Sequence, residues 1–86
     1  MESKRFGRAI VLTMHARRRI AERGIDEGTV LDIIETGTAK WKDETRLWLF
    51  KEFAARDDNL LCVAAVLEQA VVVKTVMHRF VVEEAP

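Results

Sequence analysis

The stretch TMHARRRIAERGIDEGTVLDIIETG, residues 13–37, decides the fold. Thr13 is placed as an N-cap, because its hydroxyl can accept a hydrogen bond from a free first-turn amide. The helix it starts runs from about Met14 to Arg23, with Ala16, Ile20 and Met14 as a narrow apolar side. Gly24 suits the left-handed residue that ends a helix, and Ile25 follows to cover that end. Asp26 is the next N-cap, and Glu27 sits in a first turn where the helix dipole favours negative charge. Val30, Ile33 and Ile34 recur at i, i+3 and i+4, and Leu31 widens the stripe. A second helix therefore runs to about Thr36, and Gly37 closes it as Gly24 closes the first. The stretch reads as two helices joined by a tight turn.

Outward from the pair the period changes from helical to two. Upstream, Ala9 to Leu12 reads as a short strand. Downstream, strands are expected at Thr38 to Trp41, Thr45 to Ala54, Leu60 to Leu67 and Val71 to about Phe80. Arg56-Asp57-Asp58-Asn59 is a turn by composition, and Glu68-Gln69 a short connection. The fold class is α+β: a short strand, two helices, then a curled antiparallel sheet of three to four strands. Pairing Ala55 with Leu60 and Leu67 with Ala70 sorts the faces. One face then carries Leu47, Leu49, Phe53, Leu60, Cys62, Ala64, Val66, Val71, Val73, Thr75 and Met77, and lies under the helices. The other carries Arg46, Trp48, Phe50, Glu52, Val63, Lys74, Val76 and His78, and is open.

The totals bound the rest. With 86 residues, 49% hydrophobic and 33% charged, the chain is expected to be one globular domain ordered over about residues 8–82. The tail Glu83-Glu84-Ala85-Pro86 is expected to be loose. No apolar run approaches the ~18–20 residues of a membrane span, and no secretory leader is legible at the N-terminus. The single cysteine, Cys62, cannot make an internal disulfide and sits in an apolar run, so a buried, inert thiol in a reducing cytoplasm is expected. The net charge is zero but uneven: residues 1–24 carry +5 and residues 25–86 carry −5. A local basic patch can attract phosphate in a neutral molecule. A strongly basic total, the better nucleic-acid signal, is missing.

The densest chemistry is HARRRIAERGI, residues 15–25. His15, Arg19 and Arg23 are spaced by four and share one helix side. Histidine moves protons near neutral pH, and guanidinium groups grip phosphate in a fork. The bland reading is a solvated helix face with Glu22 balancing Arg18 or Arg19. His78, near the end of the last strand, reads equally as a surface residue. Trp41 and Trp48 read as packing residues or as base-stacking platforms. No cofactor is expected, because no Gly-rich phosphate loop and no zinc-ligand spacing is present.

His15, Ala16, Arg19, Arg23, Gly24 and Ile25 resemble, position by position, the signature HAxxRxxxRGI of a bacterial family, the domain of unknown function 4258 family. A second helix ending in glycine and a last strand with Lys74-Thr75-Val76 extend the resemblance over roughly residues 10–80. The element order it implies is similar to that of RelE/ParE-like toxins and other small metal-independent ribonucleases. In those enzymes His, Arg, Lys or Thr residues promote attack of a ribose 2′-hydroxyl on the neighbouring phosphate. Carried over, His15 and His78 are the general acid and base. Arg19 and Arg23 hold the phosphate. Arg18, Arg46, Trp48 and Lys74 bind RNA, with Trp48 stacking a base. One difficulty attends this pairing: helix 1 covers one face of the sheet and His78 is assigned to the other. Three readings stand: a metal-independent ribonuclease with RNA as substrate and an antitoxin-like protein as partner; a non-catalytic RNA- or protein-binding module; and a homodimer that buries Trp48, Phe50 and Val72 to Val76. The helix pair is a poor major-groove reader, because its second helix is acidic.

Overall fold

Thr13 and Asp26 open the two helices of the computed structural model, which describes residues 1–82. Thr13 Oγ1 accepts from the Ala16 amide at 3.1 Å, and α1 runs Met14–Glu22. Asp26 Oδ1 accepts from the Thr29 amide at 2.7 Å, and α2 runs Glu27–Thr36. Gly24 has φ +61°, and the amide of Ile25 reaches back to the Ile20 carbonyl at 2.9 Å. That is the glycine-closed helix end in which the residue after the glycine buries against the last turn. Ile20 and Ile25 are both buried.

Gly37 also ends its helix, but for a different reason. Its φ is −70°, open to any residue. A Cβ there would stand 2.4 Å from the Ile33 carbonyl oxygen and 3.0 Å from that of Phe50. Glycine is required by the close approach of two backbones, not by a left-handed turn. Arg5 completes this end: its Nη1 donates to the Gly37 carbonyl at 2.7 Å and to that of Ile34 at 3.3 Å.

The sheet has six strands rather than three or four, and it is mixed rather than purely antiparallel. They are β1 (Glu2–Ser3), β2 (Arg8–Leu12), β3 (Thr38–Trp41), β4 (Arg46–Lys51), β5 (Leu61–Leu67) and β6 (Val71–Met77), in the spatial order β1-β2-β6-β5-β4-β3. β2 lies parallel to β6, with Leu12 opposite Val73, and every other neighbour is antiparallel. β1 turns back onto β2 through Gly7 at φ +64°. The Glu35 carboxylate of α2 holds this hairpin by accepting from the Ser3 hydroxyl at 3.0 Å and the Arg5 amide at 2.9 Å. The expected loose tail, Glu83 to Pro86, lies outside the described residues.

The expected face assignment fails in two places, each with a physical cause. β4 ends at Lys51, which pairs with Leu61, so residues 52–60 form a loop rather than strand and tight turn. Asn59 ties that loop: its side chain accepts from the Phe53 amide at 2.8 Å and donates to the carbonyls of Phe53 and Arg56. The pairing is therefore three residues out of register with the expected one, an odd number, so β5 shows its opposite side. Leu61, Val63 and Ala65 face the helices, not Leu60, Cys62, Ala64 and Val66. The second cause is a bulge in β6. Ala65 pairs with Val73 and Ala64 with Thr75, leaving Lys74 as an extra residue. An extra residue reverses the alternation beyond it. Val71 and Val73 are buried as expected, but past the bulge Val76 is buried instead of Thr75 and Met77.

The core cluster joins Ile10 and Leu12 of β2, Ala16 and Ile20 of α1, Val30, Ile33 and Ile34 of α2, and the helix-facing residues of β4, β5 and β6. Each fully buried aliphatic side chain contributes about 1.5–3 kcal/mol. On the far face Trp48 and Phe50 are not bare. Residue Arg79 takes φ +53°, and its amide donates to the Asp58 carbonyl at 2.7 Å. This ends β6 at Met77 and sends Phe80 across that face, 5.4 Å from Trp48 and 5.8 Å from Phe50 between ring centroids. The surface expected to bury against a second copy is thus partly covered by the chain's own Phe80.

The two glycines of α2 should respond oppositely to alanine. Gly37→Ala must displace backbone and should cost about 1–3 kcal/mol, as overpacking does. Gly28 has only the Asp26 side chain near its missing Cβ, at 3.4 Å. Gly28→Ala should stabilise by on the order of 0.5 kcal/mol through helix propensity. Urea unfolding midpoints of the two variants check this.

Candidate functional site

β2 accompanies β6 only to Val73, so the edge of β6 beyond that point is left to α1. The Thr13 amide donates to the Val73 carbonyl at 3.2 Å, and the Thr13 hydroxyl to the Lys74 carbonyl at 3.2 Å. At the far end of α1 the Arg23 guanidinium donates to the Val76 carbonyl. His15 Nε2 lies 3.2 Å from Thr75 Oγ1. His15 and Arg23 are eight residues apart, about 12 Å along a helix, yet their side chains reach adjacent residues of β6. Two ends of the predicted His15/Arg19/Arg23 row therefore converge on one short strand edge. Arg19, between them, bonds Glu22 Oε2 at 2.8 Å in an exposed pair. Such pairs contribute little, so Arg19 is easily released.

His78 stands on the same stretch of chain, three residues after Thr75. Its Nδ1 is 3.1 Å from Asp58 Oδ2. Asp58 in turn takes a two-pronged bond from Arg56, Nε to Oδ1 at 2.8 Å and Nη2 to Oδ2 at 2.9 Å. Arg56 also donates to the carbonyls of Arg23 at 3.1 Å and Gly24 at 3.3 Å, where α1 ends. The Arg56 bond, followed by that of His78, holds the Asp58 carboxyl well below its ordinary range, against the opposing effect of burial. Asp58 is therefore ionised and can only accept. The hydrogen between the two groups sits on His78 Nδ1, and Nε2 carries the lone pair of the neutral ring. Among the described residues Nε2 has no partner. The Asp58 side chain is 11% exposed and that of His78 35%, so the acceptor is buried and the imidazole open.

The bulge reverses the alternation of β6 after Lys74, so Thr75 turns away from the helices, and His15 reaches it from α1, which lies along the strand edge. Thr75, Arg56 and Asp58 were not found from the sequence. Arg56 and Asp58 lie in a run whose composition reads as a turn, and no spacing rule links Asp58 to a histidine twenty residues on. Thr75 was assigned to the core. The one available signal was a charge density in residues 56–58 higher than a turn needs.

Arg46, Trp48 and Lys74 come together on the far face of the sheet. With Lys42, Ala64 and Val66 they line an open groove of about 180 Å³. Ala64 lies opposite Thr75 in the sheet, so the groove runs up to the strand position that His15 touches. Trp48 is not a free stacking platform: Lys42 Nζ sits 4.6 Å from its ring centroid, and Phe80 meets it edge-on. Arg46 is held by Asp43 at 2.6 Å. The groove thus carries three cations against one carboxylate. Arg18 lies outside it, exposed on α1, with no ion pair among the described residues. Cys62 is buried on this face between Phe50 and Met77 in register, and burial pushes its thiol up to about 12. It is not a nucleophile. Among the described residues no three His, Cys, Asp or Glu side chains group to hold a metal, and no helix is long and apolar enough to cross a membrane.

A sequence model of the family described as Domain of unknown function (DUF4258) matches residues 12–78. The chain belongs to this family. The matched segment opens on the last residue of β2 and closes on His78, so it holds the whole strand-edge cluster and leaves β1 outside. No curated protein and no solved structure matches the chain.

A depressed carboxyl contributes stability that is present above its unfolded value, 3.8, and is lost as pH falls through the folded one. Asp58→Asn should therefore lower the unfolding midpoint most near neutral pH. The gap to the wild type should narrow below about pH 4. Thermal melts of both proteins from pH 7 down to pH 3 check the sign.

Proposed function

We propose that this family member acts on RNA, holding the chain in the groove of Lys42, Arg46 and Lys74 and cleaving it without a metal at the edge of β6. The observation that carries this reading is that His15 and Arg23 of α1 reach the adjacent residues Thr75 and Val76, with His78 next along the same stretch of chain and the cationic groove running up to the same strand. Two imidazoles that differ in their partners are suited to giving and taking a proton at one phosphodiester. The cations supply attraction to the backbone. The resemblance to RelE/ParE-like toxins that the sequence suggests would agree with the same chemistry. An RNA target and a reduced thiol fit a cytoplasmic protein, and an antitoxin-like partner is compatible with the reading.

A second reading, RNA binding without turnover, is favoured by one observation. Arg19 and Arg23, the groups assigned to the phosphate, already bond Glu22 and the Val76 carbonyl. A binding module needs only the groove.

Mixed RNA incubated with the protein in EDTA should be cut, and His15→Ala should abolish cutting at unchanged stability. RNA left intact by the wild type, with binding that weakens as salt rises, would establish the second reading. In either case Lys74→Ala should weaken RNA binding and lower the slope of log K against log salt by about 1.

A further inference from the structure

We infer that Asp58 is the positioning residue that makes His78 the base of this site, an assignment that rests on the RNA-cleavage reading. Asp58 grips the segment twice. Its carboxylate takes the ring hydrogen at Nδ1, and its main-chain carbonyl takes the amide of Arg79 at 2.7 Å. Arg56 then fixes Asp58 to the end of α1, the helix that carries His15 and Arg23. The ring of His78 is thereby referenced to the helix that supplies the other groups. An Arg–Asp pair joining a loop to a helix end needs no histidine. What the histidine adds is a nitrogen lone pair in the open, held in one tautomer by a buried carboxylate. This is the base-and-orienter arrangement that activates hydroxyl groups.

The step balances without any co-reactant. His78 Nε2 takes the proton of a ribose 2′-hydroxyl. The 2′-oxygen forms a bond to the adjacent phosphorus, and the bond from phosphorus to the 5′-oxygen breaks. That oxygen leaves with the electron pair and takes a proton from the protonated ring of His15. The products are a 2′,3′-cyclic phosphate and a 5′-hydroxyl, and exchange with water restores both rings.

The test is steady-state cleavage of a short RNA in EDTA by the wild type, Asp58→Asn, His78→Ala and the double variant. Ring nitrogen NMR of His78 above its titration range accompanies it. Asp58→Asn should lose on the order of 100-fold in kcat with KM changed by less than about twofold. The double variant should lose no more than His78→Ala alone. The wild-type ring should be the Nδ1–H form and the Asp58→Asn ring the Nε2–H form. Wild-type cleavage matched by Asp58→Asn would overturn the assignment and leave the RNA-cleavage reading standing. A wild type that does not cut RNA would overturn both. Should Asp58→Asn fail to fold, the wild-type spectrum decides, because an Nε2–H ring in the native protein would overturn the assignment by itself.

Discussion

Past Val73 the carbonyls on one edge of β6 have no strand beside them, and each must still find a donor. A buried carbonyl left without one costs about 1–3 kcal/mol. α1 supplies the donors from both of its ends: the amide and hydroxyl of Thr13 for Val73 and Lys74, and the guanidinium of Arg23 for Val76. These bonds fix where α1 lies along the strand. The helix cannot slide without stranding a carbonyl, so His15, two residues in from Thr13, is delivered to Thr75. The bonds that seal the sheet edge are the same ones that assemble the candidate site.

What could be read in the sequence was whatever depends on near neighbours. Thr13, Gly24 and Asp26 act within three or four residues of themselves, and both helices begin and end close to where those residues say. Sheet parity is not local. It depends on how many residues a connection consumes, and nothing in residues 52–60 announces that Asn59 will fold its side chain back onto Phe53 and lengthen the loop. The bulge at Lys74 is equally silent, since Val-Lys-Thr reads as ordinary strand. One wrong parity reversed β5, and the bulge reversed the second half of β6. The same distinction separates the site residues. His15, Arg19 and Arg23 follow from a spacing of four on one helix. Asp58 and Arg56 become partners of His78 only through a turn made after β6 ends.

Charge shows the same limit. Along the chain the first 24 residues are basic and the remainder acidic, which draws attention to α1. In space, carboxylates of the acidic part are engaged in holding the fold. Asp26 caps α2, Asp32 holds Lys51, Glu35 holds the N-terminal hairpin, Asp43 closes the β3–β4 turn, and Asp58 receives Arg56. The cationic groove is built from Lys42, Arg46 and Lys74, all from the part whose total is negative. Net charge by segment therefore draws attention to α1 and not to this groove, because it counts carboxylates whose charge is taken up by amides and cationic side chains.

The bulge also determines the order in which β6 presents its groups. Lys74 turns out into the groove, Thr75 meets His15, Val76 enters the core and gives its carbonyl to Arg23, and His78 reaches Asp58. A regular strand would alternate strictly and put Lys74, Val76 and His78 on one side, with Thr75 and Met77 under the helices. The extra residue costs one ladder position and leaves a carbonyl that Thr13 must satisfy. In return a cation and a buried anchor sit two residues apart, with a histidine-bound hydroxyl between them. Stability alone does not require that sequence of exposures, since an unbulged β6 could bury Thr75-side residues of any apolar kind.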